Sequence, residues 1–186
     1  APDDVATADA ATSTRVALLG APNAGKSSLF NRLTGLRAKT GNYPGVTVSR
    51  SFGDVRAGET NLVLEDLPGT YSLDAASPDE AITRDVCLGR HPGEPVPDLI
   101  VCVVDATNLR LHLRFVLEVK RLGRPMVLAL NMMDSARRRD IRIDVAELQA
   151  AEAQLYMFVA IDRPSKFACA QLAGKANHVS APMLLV

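Results

Sequence analysis

Short apolar runs alternate with segments of helical periodicity from Arg15 onward, the pattern of a mostly parallel sheet wrapped by helices. It predicts strands at 15–19, 46–55, 61–65, 98–104 and 126–131, and helices at 26–34, 78–88 and 109–122. The Pro-rich stretch 91–97 separates the second helix from the next strand, and Gly123 with Pro125 ends the third. The chain therefore reads as α/β, with no internal repeat. In such sheets ligands bind beyond the carboxyl ends of the strands, where each segment of interest below falls. The longest apolar runs, 99–104 and 126–130, are far shorter than the roughly twenty residues needed to cross a bilayer.

Lysine and arginine number 21, as do aspartate and glutamate, so the formal net charge is zero. Bulk electrostatic attachment to nucleic acid or an anionic membrane is not expected. Arg137, Arg138 and Arg139 form the one dense basic cluster, which a solvated helix end explains as well as a binding patch. Cys87, Cys102 and Cys169 lie far apart without CxxC spacing, and His91, His112 and His178 are equally scattered. Idle thiols in a reduced compartment are expected, and no metal site of histidine and cysteine. Residues 1–14 lack the charged start and apolar stretch of a secretion signal and read as a disordered leader. Beginning at Ala1 in place of Met, the chain reads as a processed or partial product.

The segment from Gly20 through Ala21, Pro22, Asn23, Ala24 and Gly25 to Lys26, Ser27 and Ser28 fits the phosphate-binding pattern GxxxxGK[ST] directly after a predicted strand. Glycines let the backbone curl around an anion with successive N–H groups pointing inward. Lys26 would neutralise the β and γ phosphates, Ser27 would offer its hydroxyl to Mg²⁺, and the helix beginning near Lys26 would aim its positive end at the same charge. A glycine turn between a strand and a helix is the plainer alternative.

Three further segments sit at strand ends. In Asp66-Leu67-Pro68-Gly69, Asp66 would bind Mg²⁺ mostly through water and Gly69 would donate its N–H to the γ phosphate. Alone, Asp-x-x-Gly is a common turn. In Asn131-Met132-Met133-Asp134, the Asp134 carboxylate would accept from the ring N–H and exocyclic amine of guanine, which adenine does not present. GTP is then favoured over ATP. Met132 stands where the usual motif has lysine, keeping aliphatic packing on the base without the ammonium. A helix cap is the alternative. Between the first helix and second strand, Gly45, Val46 and Thr47 end a Gly- and Pro-containing loop, and Thr47 could bring its hydroxyl to Mg²⁺ and its N–H to the γ phosphate, as a switch. Without context that loop is a turn entering a strand.

In order, GAPNAGKSSLFN, GNYPGVTV, DLPGTYSL, SPDEAITRD, VVDATNL and LALNMMD closely resemble the N-terminal cytosolic G domain of ferrous iron transport protein B (FeoB), over roughly residues 15–143. YPGVTV, DLPGTYSL and VVDATNL distinguish that family from the ribosome-assembly GTPases that share its phosphate loop. The resemblance implies a P-loop NTPase fold of the Ras-like G-domain type, binding GTP and GDP. It implies a location on the cytoplasmic side of the bacterial inner membrane, tethered in the parent protein to a membrane permease for Fe²⁺. It further implies that Asn23 helps coordinate a K⁺ ion that assists hydrolysis. The family has no glutamine after the Gly of DxxG; Thr70 occupies that place, so slow turnover is expected, with Lys26, Thr47 and Gly69 as the catalytic groups.

A G domain should close with another apolar strand, a Ser-Ala loop over the guanine and a final helix. Here 141–148 runs instead into 155–167, a stretch that resembles the opening strands of an insertion-sequence transposase or integrase core of RNase H-like fold. In that resemblance Asp144 matches the first metal-binding carboxylate, and a lone Asp144 cannot run two-metal phosphodiester chemistry. The implied organisation is a leader at 1–14, a G domain at 15–143 and an atypical tail at 144–186 fused near 140–144, with 155–161 apolar enough to complete the sheet. The Ser180-Ala181 pair imitates the guanine loop, but no apolar strand leads into it. The reading is a GTP-binding and GTP-hydrolysing domain without its permease; the alternatives are a nucleotide-retaining module with little turnover, a ribosome-assembly-type GTPase, and a transposase remnant with a DNA role.

Overall fold

A computed structural model of the chain describes residues 13–36, 38–74, 76–151, 157–161 and 168–172. The leader up to residue 12, Leu155, residues 162–167, His178 and the Ser180-Ala181 pair lie outside the described residues. In chain order come β1 (Thr14–Leu19), α1 (Lys26–Thr34), β2 (Lys39–Asn42), β3 (Ser49–Ala57), β4 (Thr60–Asp66), α2 (Pro78–Leu88) and β5 (Leu99–Asp105). A 3-10 turn (Ala106–Asn108) leads to α3 (Leu109–Lys120), β6 (Met126–Asn131), α4 (Met133–Arg138), α5 (Val145–Ala151), β7 (Met157–Ile161) and β8 (Ala168–Leu172).

The strands form one sheet in the order β2-β3-β4-β1-β5-β6-β7-β8. The block β4-β1-β5-β6-β7 is parallel, while β3 runs antiparallel to β2 and β4, and β8 to β7. Side chains alternate across a strand, and β1 uses both faces. Val16 and Leu18 pack with Phe30 of α1 and Leu64 of β4. Ala17 and Leu19 join Ile82 and Val86 of α2 and Phe115 and Val116 of α3. With helices on both sides, β6 is buried at every position, which is why its sequence is a continuous apolar run.

Local chemistry ends the helices where the sequence places their boundaries. α1 stops at Gly35 in the left-handed conformation, and α2 opens on a reciprocal Ser77–Glu80 capping box with a proline in its first turn. Elsewhere the structure departs from expectation. The strand expected at 46–55 begins only at Ser49 and runs on to Ala57. Gly45 has φ +80°, and Val46 N–H donates to the Tyr43 carbonyl at 3.2 Å, so Pro44 and Gly45 make a turn of type II and 46–48 belong to its loop. Preceding that loop is β2, a strand without apolar residues, exposed at all four positions and present as the antiparallel partner of β3. The third helix ends at Lys120, two residues earlier than its expected end at 122.

Asp144 acts as the cap of α5: its carboxylate accepts the Glu147 N–H at 2.9 Å and its carbonyl accepts that of Leu148 at 3.0 Å. Ile143, Val145 and Leu148 pack against the same core as Leu19 and Phe115. Among the described residues no three His, Cys, Asp or Glu side chains are grouped to hold a metal ion, and no helix is long and apolar enough to cross a membrane.

Candidate functional site

The loop between β1 and α1 is fixed from below by β6. Gly25 sits at φ +95°, and a Cβ added there would lie 2.0 Å from Asn131 Nδ2, so a side chain would be strained and would have to displace that amide. Asn131 Nδ2 donates to the Ala24 carbonyl at 2.9 Å, tying the loop to the carboxyl end of β6. Ala21 and Ala24 are buried, while Pro22, Asn23 and Ser28 are exposed, Asn23 at φ +62°. Lys26 is buried and its Nζ donates to the carbonyls of Gly20 and Ala21, at 3.1 and 3.3 Å. Burial lowers its pKa, and the Asp66 carboxylate pulls the other way.

Parallel pairing sets Asp66 beside Leu18, which brings the end of β4 to the same loop. Ser27 Oγ donates to Asp66 Oδ2 at 2.7 Å. Burial raises the Asp66 carboxyl above its ordinary range, opposed by the bond from Ser27 and by the charge of Lys26. Its other oxygen, Oδ1, is buried with no hydrogen-bond partner. Beyond it, Leu67 N–H donates to the Leu18 carbonyl and Thr70 N–H to the Gly20 carbonyl, both at 3.2 Å, so the turn lies against the phosphate-type loop. Thr70 is fully buried and its hydroxyl is shared between the Ser72 carbonyl and Glu80. Ser72 Oγ and Leu73 N–H both donate to Glu118 Oε2 on α3, at 2.8 and 2.9 Å.

Lys26, Ser27, Thr47, Asp66 and the Leu67-Pro68-Gly69 turn line one cleft of about 470 Å³. Gly45 and Val46 are exposed on the same hairpin loop as Thr47. Val48, Ser49, Ser51 and Asp79 also line the cleft, and sequence reasoning missed them. For Asp79 a signal existed, because the Ser77–Glu80 capping box marks the start of a helix at that point. Nothing local marks the serines.

On the β6 side of the loop, Asn131 Oδ1 accepts the Met132 N–H at 2.9 Å, and Met132 takes φ +60°. α4 starts after Met132 without a side-chain cap, so neither Asn131 nor Asp134 serves in capping. Asp134 is buried; its Oδ2 lies 3.0 Å from Arg138, and its Oδ1 has no hydrogen-bond partner. The structure thus brings Asp66 to the loop through Ser27 and Asn131 to it through Ala24, while Asp134 follows on α4 and is not among the residues that line the cleft.

A family model described as ferrous iron transport protein B matches residues 14–162. The chain belongs to the ferrous iron transport protein B family. The Fe(2+) transporter FeoB of Shigella flexneri is 42% identical over 136 residues, which are 73% of this chain and 17% of that protein. A Porphyromonas gingivalis protein fusing Fe(2+) transport protein A to FeoB is 43% identical over 136 residues, 73% of this chain and 16% of its own length. Among solved structures, the G domain of T. maritima FeoB superposes with a TM-score of 0.70 at 38% identity, covering 80% of this chain and 88% of that one. An S. thermophilus NFeoB variant bound to GDP gives 0.70 at 39% identity, covering 80% and 55%. The fold is therefore that of the FeoB G domain, a P-loop GTPase fold, and the chain spans less than a fifth of the curated FeoB relatives it matches.

Proposed function

We propose that the chain binds GTP and GDP and hydrolyses GTP to GDP and phosphate with Mg²⁺. The observation that carries this reading is the pair Asp66 Oδ1 and Asp134 Oδ1, the two buried side-chain oxygens among the described residues that lack a hydrogen-bond partner. Leaving such an oxygen unsatisfied costs about 1–3 kcal/mol or more, and a guanine nucleotide bound with its Mg²⁺ near Asp66 and its base near Asp134 would supply both partners. Near Asp66, the hydroxyl of Ser27 and the exposed Thr47 complete a set of hard oxygen donors of the kind Mg²⁺ takes. Mg²⁺ held there would supply charge neutralisation to the phosphoryl group being transferred. Lys26 would neutralise the β and γ phosphates, the backbone from Gly20 to Ser28 would cradle them, and the Gly69 N–H would meet the γ phosphate. Asp134, with Asn131 and Met132 beside it, would accept both guanine donors; its Oδ2 keeps a lone pair despite Arg138.

The GDP-bound relative supports this reading. A K⁺ ion at Asn23 belongs to it, supported by family membership and by the exposed position of Asn23 on the loop. So does service as the cytosolic nucleotide switch of an Fe²⁺ permease, and a G domain ending near residue 143, although Val145 and Leu148 pack on its core. Titration with a fluorescent guanine nucleotide, followed by phosphate release in K⁺ or Na⁺, tests the reading. Guanine-selective binding and K⁺-stimulated release are expected; equal indifference to GTP and ATP with Mg²⁺ present overturns it. A second reading, retention of nucleotide with little turnover, is favoured by the buried Thr70 hydroxyl, whose bonds to Ser72 and Glu80 keep it from positioning water. Binding without K⁺-stimulated release would decide for it.

A further inference from the structure

Tyr43 is 1% exposed, yet it opens the exposed loop that carries Thr47. Its N–H donates to the Val48 carbonyl at 3.1 Å, closing the loop, and its ring lies in the same core as Leu19, Leu67 and Val86. Its hydroxyl donates to Glu65 Oε1 at 3.0 Å. Arg50, just past the other end of the loop, donates from Nε to that same oxygen at 3.0 Å and from Nη1 to Glu94 Oε1 at 2.7 Å. Arg15 Nη2 stands 3.7 Å from Glu65 Oε2 and 3.5 Å from Glu94 Oε2. The Glu65 and Glu94 side chains are only 7% and 3% exposed. Burial, reinforced by the Glu65 carboxylate, raises the phenol well above its ordinary pKa, so it stays a donor.

Packing alone does not call for this. Phenylalanine would fill the ring's place, and buried carboxylates destabilise a core unless every one is paired. Two carboxylates and two guanidiniums balance, and the phenol adds a neutral donor that the charge balance does not need. The distinctive feature is location: Glu65 directly precedes Asp66 on β4, and Tyr43 and Arg50 bracket the loop bearing Thr47. Both ends of that loop are thus fastened to the strand that carries Asp66.

We propose that the Tyr43 hydroxyl on Glu65 is the pin that holds the base of the 44–47 loop and so positions Thr47 for the γ phosphate. This rests on the reading of the cleft as a GTP site. Tyr43 is a positioning residue, acting through Thr47. GDP offers no γ phosphate for Thr47, so the pin matters for GTP and hardly for GDP. Loosening it leaves more loop disorder to be removed when GTP binds.

The test compares Tyr43→Phe, Thr47→Ala and the double variant in the full chain, using GDP, a non-hydrolysable GTP analogue and single-turnover GTP hydrolysis. Tyr43→Phe is expected to weaken the analogue and slow hydrolysis about tenfold, the scale of one hydrogen bond to a charged group. GDP affinity should stay within about twofold, which also certifies the fold. In the Thr47→Ala background, Tyr43→Phe should add nothing further. Equal weakening of GDP and analogue, an unchanged ratio between them, or a full additional loss in that background overturns the pin while leaving the GTP reading intact. A wild-type chain that binds neither nucleotide overturns both.

Discussion

The two sides of the candidate site, β6 with α4 and the cleft around Asp66, are built on different principles. Where guanine would sit, the side chains hang from β6, buried at all six positions, and Asn131 is held by one bond to the loop and one to its own neighbour. Where the γ phosphate would sit, Thr47 is exposed on a hairpin loop that leads from β2, exposed at all four of its positions. The Gly69 side continues into Tyr71, which is 50% exposed. Side-chain bonds anchor this side at the bases of its loops, from Tyr43 and Arg50 to Glu65, Thr70 to Glu80, Thr83 Oγ1 to the Pro68 carbonyl, and Ser72 and Leu73 to Glu118, and leave 44–47 exposed. Discrimination between purines needs donors and acceptors that do not yield, and a buried strand end supplies that rigidity. Sensing one phosphate needs segments with two arrangements close in energy, which come from the weakly held parts of a fold.

The largest effect should come from breaking the rigid end. Asp134→Asn removes the acceptor pair proposed for guanine and is expected to lower GTP selectivity over xanthosine triphosphate by about 100-fold, the scale of a mispaired buried polar group. Competition binding with the two triphosphates measures it, and an unchanged preference would contradict the assigned role. Asn131→Ala should act more broadly and less strongly. It orphans the buried Ala24 carbonyl and so unties the loop from β6, and GTP and GDP should weaken together, by about tenfold. Unequal losses of the two nucleotides would show that this end also senses the γ phosphate, and the contrast between the ends would fail.

Legibility in the sequence follows the same division. The phosphate-type loop, α1, α2 and β6 were readable because their signals are local: Gly25 and Lys26 are adjacent, Ser77 and Glu80 are a turn apart, and β6 is one apolar run. What joins them was not. The Asn131–Ala24 bond spans 107 positions and the Tyr43–Glu65 bond 22, and no periodicity reports a pairing of that kind. β2 escaped because an exposed strand of Lys, Thr, Gly and Asn shows no alternation and exists through β3 alone. Asp144, with its likeness to a metal-binding carboxylate, illustrates a different limit: the same residue before a short apolar helix is also a good N-cap, and capping is the role the structure gives it.

A smaller effect should appear beside the exposed Tyr71 on acidification. His112 lies 6% exposed on α3, its ring edge-on to Tyr71 with centroids 6.4 Å apart, just beyond the Gly69 turn. Burial lowers its pKa below the ordinary 6.5, with Asp105 opposing more weakly. The unfolded chain therefore takes up a proton near pH 6.5 that the folded chain refuses until lower pH. The sign follows from linkage: more protons on the unfolded state means stability that is intact above pH 6.5 and declines as pH falls through it. For one proton the decline is at most about 1.4 kcal/mol per pH unit. Urea midpoints between pH 7.5 and 5.5 should consequently fall more steeply for the wild type than for His112→Gln, whatever offset the substitution itself brings. Parallel slopes would mean that His112 protonates in place, and that the floor beneath Tyr71 is as accommodating to charge as water.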